Sequence, residues 1–546
     1  MGSHAVTVQK YLYIGKPPAN SVRSIRHFQD SNGPHQATLA SYPQSMQRTM
    51  PPRSHSSCVL SKPAALAASV VALSMLMVLG CASEPNSSST NTVGTELSIA
   101  REDNPVQAFE WKKCGDIECA SITVPFDYDA PERGSFVLPL TRQRALDDDL
   151  RVGVLLVNPG GPGAPGTSLV QNSAYYFSRD LLDHFDIVGW DPRGTGGSQP
   201  AIDCVDDKNA YFANEHSVAT TKIFVDACIK KSAAILPYVS TTSSARDIDT
   251  IRKALGETRI NYFGFSYGGL LGMRWASMFP TTVRSAVFDG APDPQANSSE
   301  RRLAQAKGFE SQLTRYLDTC LTRKTCPFPT SAKSATAFDE LVARINAIPV
   351  DSTKGRSPIT KTVLLTAVAS TMYDDAAWPE LDAALTLLLR TDGSGVLALF
   401  DTYYYQDPGY EDYRNVSEAA IAISCLDDPN RSAELVDSAV AEFNAAAPRF
   451  GGLFGPDYSC ALWPAPPVAQ PTLSTAGTPP IVVLGSTGDP ATPLASSKAM
   501  AAALSDGRLI EVSANRHTSY LKNDCATKLV DNYLINLSIP PTLSRC

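Results

Sequence analysis

Asn261-Tyr-Phe-Gly-Phe-Ser-Tyr-Gly-Gly-Leu270 holds one Gly-x-Ser-x-Gly, Gly264 to Gly268, between an apolar run and a helical pattern. Residues 259–264 read as a short buried strand. After the serine, Leu270, Leu271, Met273, Trp275 and Ala276 recur at helical spacing until Phe279-Pro280 stops the helix. A serine in so tight a strand-to-helix turn needs small residues two positions to either side, because the backbones crowd there. The turn lifts the hydroxyl over the helix N-terminus, where free N–H groups and the positive end of the dipole favour an oxyanion. A glycine-rich loop beside a serine is common in any α/β protein. The weight therefore falls on whether the chain supplies partners for Ser266.

Outward from this turn, strands and helices alternate. Residues 120–125 and 135–140 read as opening strands, and Gly153–Asn158 is a continuous apolar run, the mark of a strand buried on both faces. A helix is expected from Thr167, a second buried strand over 185–190, and a helix over 244–255 with Ile248, Ile251 and Leu255 in register. Residues 283–288 form the next strand. This order predicts an α/β fold with a doubly wound, mostly parallel sheet. From 292 to 465 no buried strand is legible, and 331–348, 361–373, 380–390 and 417–424 are amphipathic helical stretches. They read as a large helical cap inserted after the strand that follows the serine helix. Sheet-like sequence resumes at 480–485 and 509–513, and a helix over 524–537 closes the fold. The resulting plan is a leader with an export signal (1–80), a polar linker (81–108), the first part of the core (109–291), a helical cap or lid (292–465) and the second part of the core (466–546).

A serine nucleophile needs a base to take its proton, and histidine is the usual choice at neutral pH. Of seven histidines, His4, His27, His35 and His55 lie in the leader. His184 and His216 precede the serine, one introducing a strand and the other in a polar loop. His517 alone follows it, just past a strand, as the chain order Ser…Asp…His of α/β hydrolases requires. The orienting acid should lie between them. Asp489, in the Gly/Pro-braced loop after the 480–485 strand, is favoured over Asp289 at the end of the 283–288 strand; its part would be to hold the imidazole tautomer. The oxyanion hole would combine the N–H of Tyr267 with one from the Gly160-Gly161 loop, Gly161 being the candidate. That glycine run does not read as a phosphate cradle. Pro159 and Pro162 remove donors, and neither a P-loop lysine nor a dinucleotide fingerprint is present, so no cofactor is called for.

Composition narrows the class further. The chain has 546 residues, 43% apolar and 19% charged, which is ordinary for a globular protein. Residues 1–80 carry seven Lys and Arg against Asp30 alone, so the net charge of −8 splits into +6 for the leader and −14 for the rest. An acidic body argues against nucleic acid as a partner. Between Ala64 and Gly80 no charge occurs, and Arg53 and Lys62 precede that apolar run, as in an export signal. It ends Val78-Leu79-Gly80-Cys81, which resembles a bacterial lipobox with Cys81 as the lipidated residue; an uncleaved membrane anchor is the other reading. Translation can also start at Met50, with residues 1–49 carrying no fold. Beyond Cys58 and Cys81, ten cysteines remain: Cys114, Cys119, Cys204, Cys228, Cys320, Cys326, Cys425, Cys460, Cys525 and Cys546. An even number suits disulfides in an oxidising compartment. Pairing of sequence neighbours is the simplest arrangement, although sequence alone leaves connectivity open. A zinc site fits poorly, because only three histidines lie past residue 81 and none of them neighbours a cysteine at ligand spacing.

Asn158-Pro-Gly-Gly-Pro-Gly163, Asp191-Pro-Arg-Gly-Thr-Gly-Gly-Ser198, the serine turn, Phe288-Asp-Gly290, Gly488-Asp-Pro-Ala-Thr-Pro493 and His517 together resemble the proline iminopeptidase-related serine peptidases. The resemblance is strongest to secreted actinobacterial tripeptidyl aminopeptidases and their mycobacterial relatives, sometimes labelled carboxylesterase A. It covers about residues 109–546, with Cys425-Leu-Asp427 and Cys460-Ala-Leu-Trp463 similar to that group's cap motifs. Asn158 stands where relatives often have His, and Arg516 where the wider fold has Gly. The resemblance implies an α/β-hydrolase fold and release of short peptides from free N-termini through an acyl-enzyme on Ser266. The protein would be exported, either lipid-anchored at the cell envelope or secreted, and would touch the membrane only through its anchor or signal segment. A cap acid should pair with the substrate ammonium, the candidates being Asp374, Asp375, Glu380 and Asp427. A carboxylesterase or lipase using the same triad is the alternative. A non-catalytic surface lipoprotein would leave the triad unexplained, and dehalogenase or epoxide hydrolase relatives carry Asp at the nucleophile position.

Overall fold

The apolar run Gly153–Asn158 lies in the middle of a ten-stranded sheet, fully buried on both faces. The computed structural model describes residues 108–546 apart from 216, 329–332, 405–413 and 456. Cys81, the apolar segment before it, nearly all of the linker and His216 lie outside the described residues. In chain order the strands are β1 (Lys112–Cys114), β2 (Ile117–Pro125), β3 (Ser135–Gln143), β4 (Gly153–Asn158), β5 (Phe185–Trp190), β6 (Ile260–Phe265), β7 (Val283–Asp289), β8 (Ile481–Ser486), β9 (Gly507–Val512) and β10 (Leu543–Arg545). Their spatial order is β1-β2-β3-β5-β4-β6-β7-β8-β9-β10. The first three pair antiparallel, β3 meets β5 antiparallel, and every later pair is parallel.

Alternation along β4 divides the core. Val154 and Leu156 face one apolar layer with Trp190, Tyr262 and Trp275, whereas Leu155 and Val157 face the other with Phe263, Leu484 and Tyr533. Side chains on a strand point to opposite faces in turn, so a strand covered on both sides must be apolar at every position. Each fully buried leucine contributes about 2 kcal/mol. The edge strands β1 and β10 are three residues each. They are too short to show a hydrophobic period and are not legible in the sequence.

Helices cover the sheet. Thr241–Ala254 leads into β6, Tyr267–Met278 follows the serine, and Asp524–Asn536 is the last helix, all within a few residues of the expected bounds; the edge strand β10 follows it. The Asp191–Ser198 motif is a brace here. Arg193, 0% exposed, donates two hydrogen bonds to Asp247 at 2.8 and 2.6 Å and others to the carbonyls of Pro125, Phe126 and Tyr238. Asp191 accepts from Thr167 and Gly197.

Between β7 and β8 the described residues hold helices and no strand, the longest being Ser298–Asp318. Lys361–Met372, Trp378–Leu388 and Val416–Asp427 match stretches read from the sequence; Ser394–Tyr403 and Ala433–Ala446 join them. Val416–Asp427 packs its Ala419, Ala422, Ile423 and Leu426 into the sheet's core, while the other helices enclose an apolar core of their own around Phe309, Leu313, Phe338, Leu364, Leu385 and Phe400. Side chains sew this layer to the sheet layer. Asn415 donates to the carbonyls of Gly194 and Ile202, and Glu418 accepts from the N–H groups of Cys204 and Val205. The ten cysteines pair as sequence neighbours: 114–119, 204–228, 320–326, 425–460 and 525–546. Among the described residues no helix is long and apolar enough to cross a membrane.

Candidate active site

Four neighbouring strands end at one edge of the sheet, and each delivers one residue of interest. Ser266 follows β6, Asp289 ends β7, Asp489 follows β8 and His517 follows β9. The carboxyl edge of a parallel sheet is where strand ends and helix starts leave a crevice.

Ser266 has φ 55° and ψ −126°, a strained conformation for a residue other than glycine. The turn is possible because its neighbours are bare. A Cβ on Gly264 would collide with the Gly268 carbonyl, and one on Gly268 would lie 2.8 Å from Asn158 O and 2.9 Å from Asn158 Oδ1. The Ser266 N–H donates to Asp289 O at 2.8 Å, and Ser266 O accepts from Gly269 N at 2.9 Å, so the turn is fixed by backbone alone. Gly160 packs against it closely enough that a Cβ there would sit 3.0 Å from the Ser266 Cβ and 3.2 Å from the Tyr267 N. Asn158 turns the Gly160 N–H aside, accepting it on Oδ1 at 2.9 Å. The next amide, that of Gly161, has no hydrogen-bond partner among the described residues. Tyr267 opens its helix, where the amide has no intrahelical acceptor.

His517, 2% exposed, lies between Asp489 and the end of β7. Its Nδ1 is 2.9 and 3.0 Å from the two carboxylate oxygens of Asp489. A Cβ on Gly290 would be 3.0 Å from the imidazole Cε1, so the ring rests on bare backbone. Asp489 also accepts from the amides of Ala491 and Thr492, both at 2.9 Å. The Thr492 side chain is not marked out by sequence alone, although it lies within the Asp-Pro-Ala-Thr-Pro motif. Its hydroxyl is 3.1 Å from Asp489 Oδ2 and 3.2 Å from His517 Nδ1, and donates to Gly290 O at 2.7 Å. A hydroxyl three residues after an acid in a tight loop is the signal that could have found it.

The rival acid has a different place. Asp289 is 0% exposed and accepts from the amides of Ser519 at 2.9 and 3.0 Å and Tyr520 at 2.8 Å, below the imidazole. Burial pushes its carboxyl up to about 6, partly offset by those two amides. Of the four cap acids, Asp374 is ion-paired with Arg516 at 2.5 Å, and Asp427 accepts from both the backbone and hydroxyl of Thr241. That hydroxyl in turn meets the Tyr267 phenol. Asp375 lies 3.5 Å from the Asn515 amide, and burial raises its carboxyl above the ordinary value. Glu380 keeps one buried carboxylate oxygen without a hydrogen bond among the described residues.

A cleft of about 340 Å³ lies beside Asp489, lined by Lys307, Gln312, Arg315, Gly488 and Asp489 itself. Neither Ser266 nor His517 lines it.

Comparison with known proteins agrees with this architecture. The family model described as alpha/beta hydrolase fold matches residues 153–524. The serine protease Hip1 of Mycobacterium tuberculosis is 32% identical over 479 residues, covering 81% of this chain and 91% of that protein. Carboxylesterase B of the same organism is 34% identical over 451 residues, covering 78% and 86%. A tripeptidyl aminopeptidase of Streptomyces lividans is 27% identical over 466 residues, covering 78% and 83%. With the family model spanning well over half of its length, the chain belongs to the α/β-hydrolase family.

Proposed function

We propose that this protein is an exported serine exopeptidase that releases short peptides from free N-termini through an acyl-enzyme on Ser266. The observation that carries the chemistry is the His517–Asp489 pair, with Nδ1 2.9 Å from the nearer carboxylate oxygen, at the same sheet edge as a serine held at φ 55°. In this reading the Asp489 carboxylate fixes the proton on Nδ1. His517 then takes the Ser266 proton on Nε2 as the hydroxyl attacks the substrate carbonyl. The amides of Tyr267 and Gly161 receive the developing oxyanion, the second being available because Asn158 engages Gly160. Protonated His517 gives its proton to the departing amine, then activates the water that cleaves the ester.

Support for peptides over simple esters comes from relatives named serine protease and tripeptidyl aminopeptidase. The helices between β7 and β8 act as the lid that admits chain ends. Support for export comes from the apolar run before Cys81 and from ten cysteines fully engaged in disulfides. The relative named carboxylesterase B favours a second reading, ester hydrolysis by the same triad.

A panel of aminoacyl-, dipeptidyl- and tripeptidyl-arylamides beside short-chain esters decides between them. Arylamide turnover is expected and should fall about 10³-fold or more in Ser266→Ala. Ester turnover without arylamide turnover would replace the peptidase by the esterase. Activity surviving in Ser266→Ala would remove the triad.

A further inference from the structure

We propose that the cap segment Tyr373-Asp374 is a positioning element for the histidine loop, holding His517 in its working place only while the cap is seated. The proposal rests on the triad reading above. The His517 N–H donates to Tyr373 O at 2.7 Å, and Asp374 and Arg516 form an isolated antiparallel bridge. Asp374 Oδ2 accepts from Arg516 Nη2 at 2.5 Å, while its Oδ1 is taken by the Ala376 amide at 3.1 Å. Arg516 Nε donates to Thr518 O at 3.2 Å, so one guanidinium spans the backbone on both sides of His517 and is anchored in the cap. A second cap helix contributes the Gln312 side-chain amide, which donates to Asn515 O at 3.0 Å. The ring of Tyr373 stands edge-on to the imidazole at 5.8 Å.

The loop needs such ties. Thr518 has φ 65°, a left-handed conformation that a β-branched residue adopts only under constraint. From the core side Asp289 fixes residues 519 and 520; residues 515 to 517 are fixed from the cap. The Asp374 and Arg516 side chains are 14% and 11% exposed, so the ion pair is largely screened from water and removing one partner leaves the other charge uncompensated. Lys522, Asp375 and Arg315 are the other charges facing this region. Burial, followed by the Arg516 cation, pushes the Lys522 ammonium down to about 8. Neutralising Asp374 therefore leaves two cations facing each other, whereas neutralising Arg516 leaves Asp374 with Lys522 for company.

Asp374→Asn should lower kcat about 10- to 100-fold with KM within threefold of the parent, and slow fluorophosphonate labelling of Ser266 in parallel. Arg516→Gln should lose less, and Arg516→Lys should restore part of that loss. The double variant Asp374→Asn/Arg516→Gln should be no worse than Asp374→Asn alone, because both act through one contact. Unchanged kcat in a folded Asp374→Asn, or additive losses in the double variant, would overturn the proposal. So would a rise in KM alone, which would make Asp374 a substrate-binding acid. If Asp374→Asn fails to fold, Arg516→Lys carries the test: a 3- to 10-fold lower kcat at unchanged KM supports the coupling, and parental kcat refutes it. An inactive Ser266→Ala beside a normal Asp374→Asn removes this proposal and leaves the triad; an active Ser266→Ala removes the triad itself.

Discussion

The serine turn and the histidine loop stand at the ends of β6 and β9 with two strands, β7 and β8, between them, yet they are held by opposite means. The serine turn is fixed from below. Its contacts run to Asp289 O, to Asn158 and to glycine backbones that tolerate no side chain, and all of them belong to the sheet layer. The histidine loop is shared: Asp289 holds residues 519–520 from the sheet, and Tyr373, Asp374 and Gln312 hold residues 515–517 from the cap. The difference teaches that the serine turn is a property of the core, while the histidine loop answers to both layers. Asp289 links the two, because its backbone carbonyl binds the serine turn and its carboxylate binds the loop.

The largest effect should come from breaking the serine side. Gly264→Ala places a methyl into the Gly268 carbonyl, and should abolish active-site labelling and cost about 3 kcal/mol of stability. The cap should stay folded, as its disulfides and apolar core do not involve that turn; proteolysis of the variant would check this. Next, Asp289→Ala strands the amides of Ser519 and Tyr520. A 10- to 100-fold fall in kcat with about 1–3 kcal/mol lost in denaturant unfolding is expected.

The smallest effect sharpens the cap's own attachment. Burial raises the Glu418 carboxyl from its ordinary 4.5 to about 7, against the pull of Lys208 and the amides it accepts. The folded state therefore binds more protons than the unfolded chain between these values. Its contribution to stability is complete below about 4.5 and is lost as pH rises through 7. Calorimetry at pH 5.5 and 8 should show the parent less stable at the higher pH. Glu418→Gln should flatten that slope and gain on the order of 2 kcal/mol at pH 8, with kcat nearly unchanged. Asp289 and Asp531, both raised to about 6 by burial, leave a residual slope of the same sign.

The parallel sheet was legible because a strand buried on both faces has no alternative to Val, Leu and Ile, as in Gly153–Asn158. The long Ser298–Asp318 helix is not legible in the sequence, since its charged residues and its Gly308 blur the apolar stripe. Gly308 is there because a Cβ would strike the Pro490 carbonyl, a reason that lies 182 residues away. The order of Ser266, Asp489 and His517 could be read in the sequence; which carboxylate oxygens face the imidazole could not. Asp289 and Asp489 both follow strands, and only the fold directs one to a ring nitrogen and the other to backbone amides. Arg516, read as a departure where a glycine is usual, gained its meaning from Asp374 across the layer boundary.

The last strand has a practical side. β10 is only three residues long, yet it covers the outer edge of β9, with Cys546 N bonded to Glu511 O at 2.8 Å and its sulfur tied to Cys525. An uncovered parallel strand is a template for any passing chain. Thiol reductants in storage buffers would loosen that seal and invite edge-to-edge self-association. The protein is best handled oxidised, and turbidity under mild reduction would be the first sign of trouble.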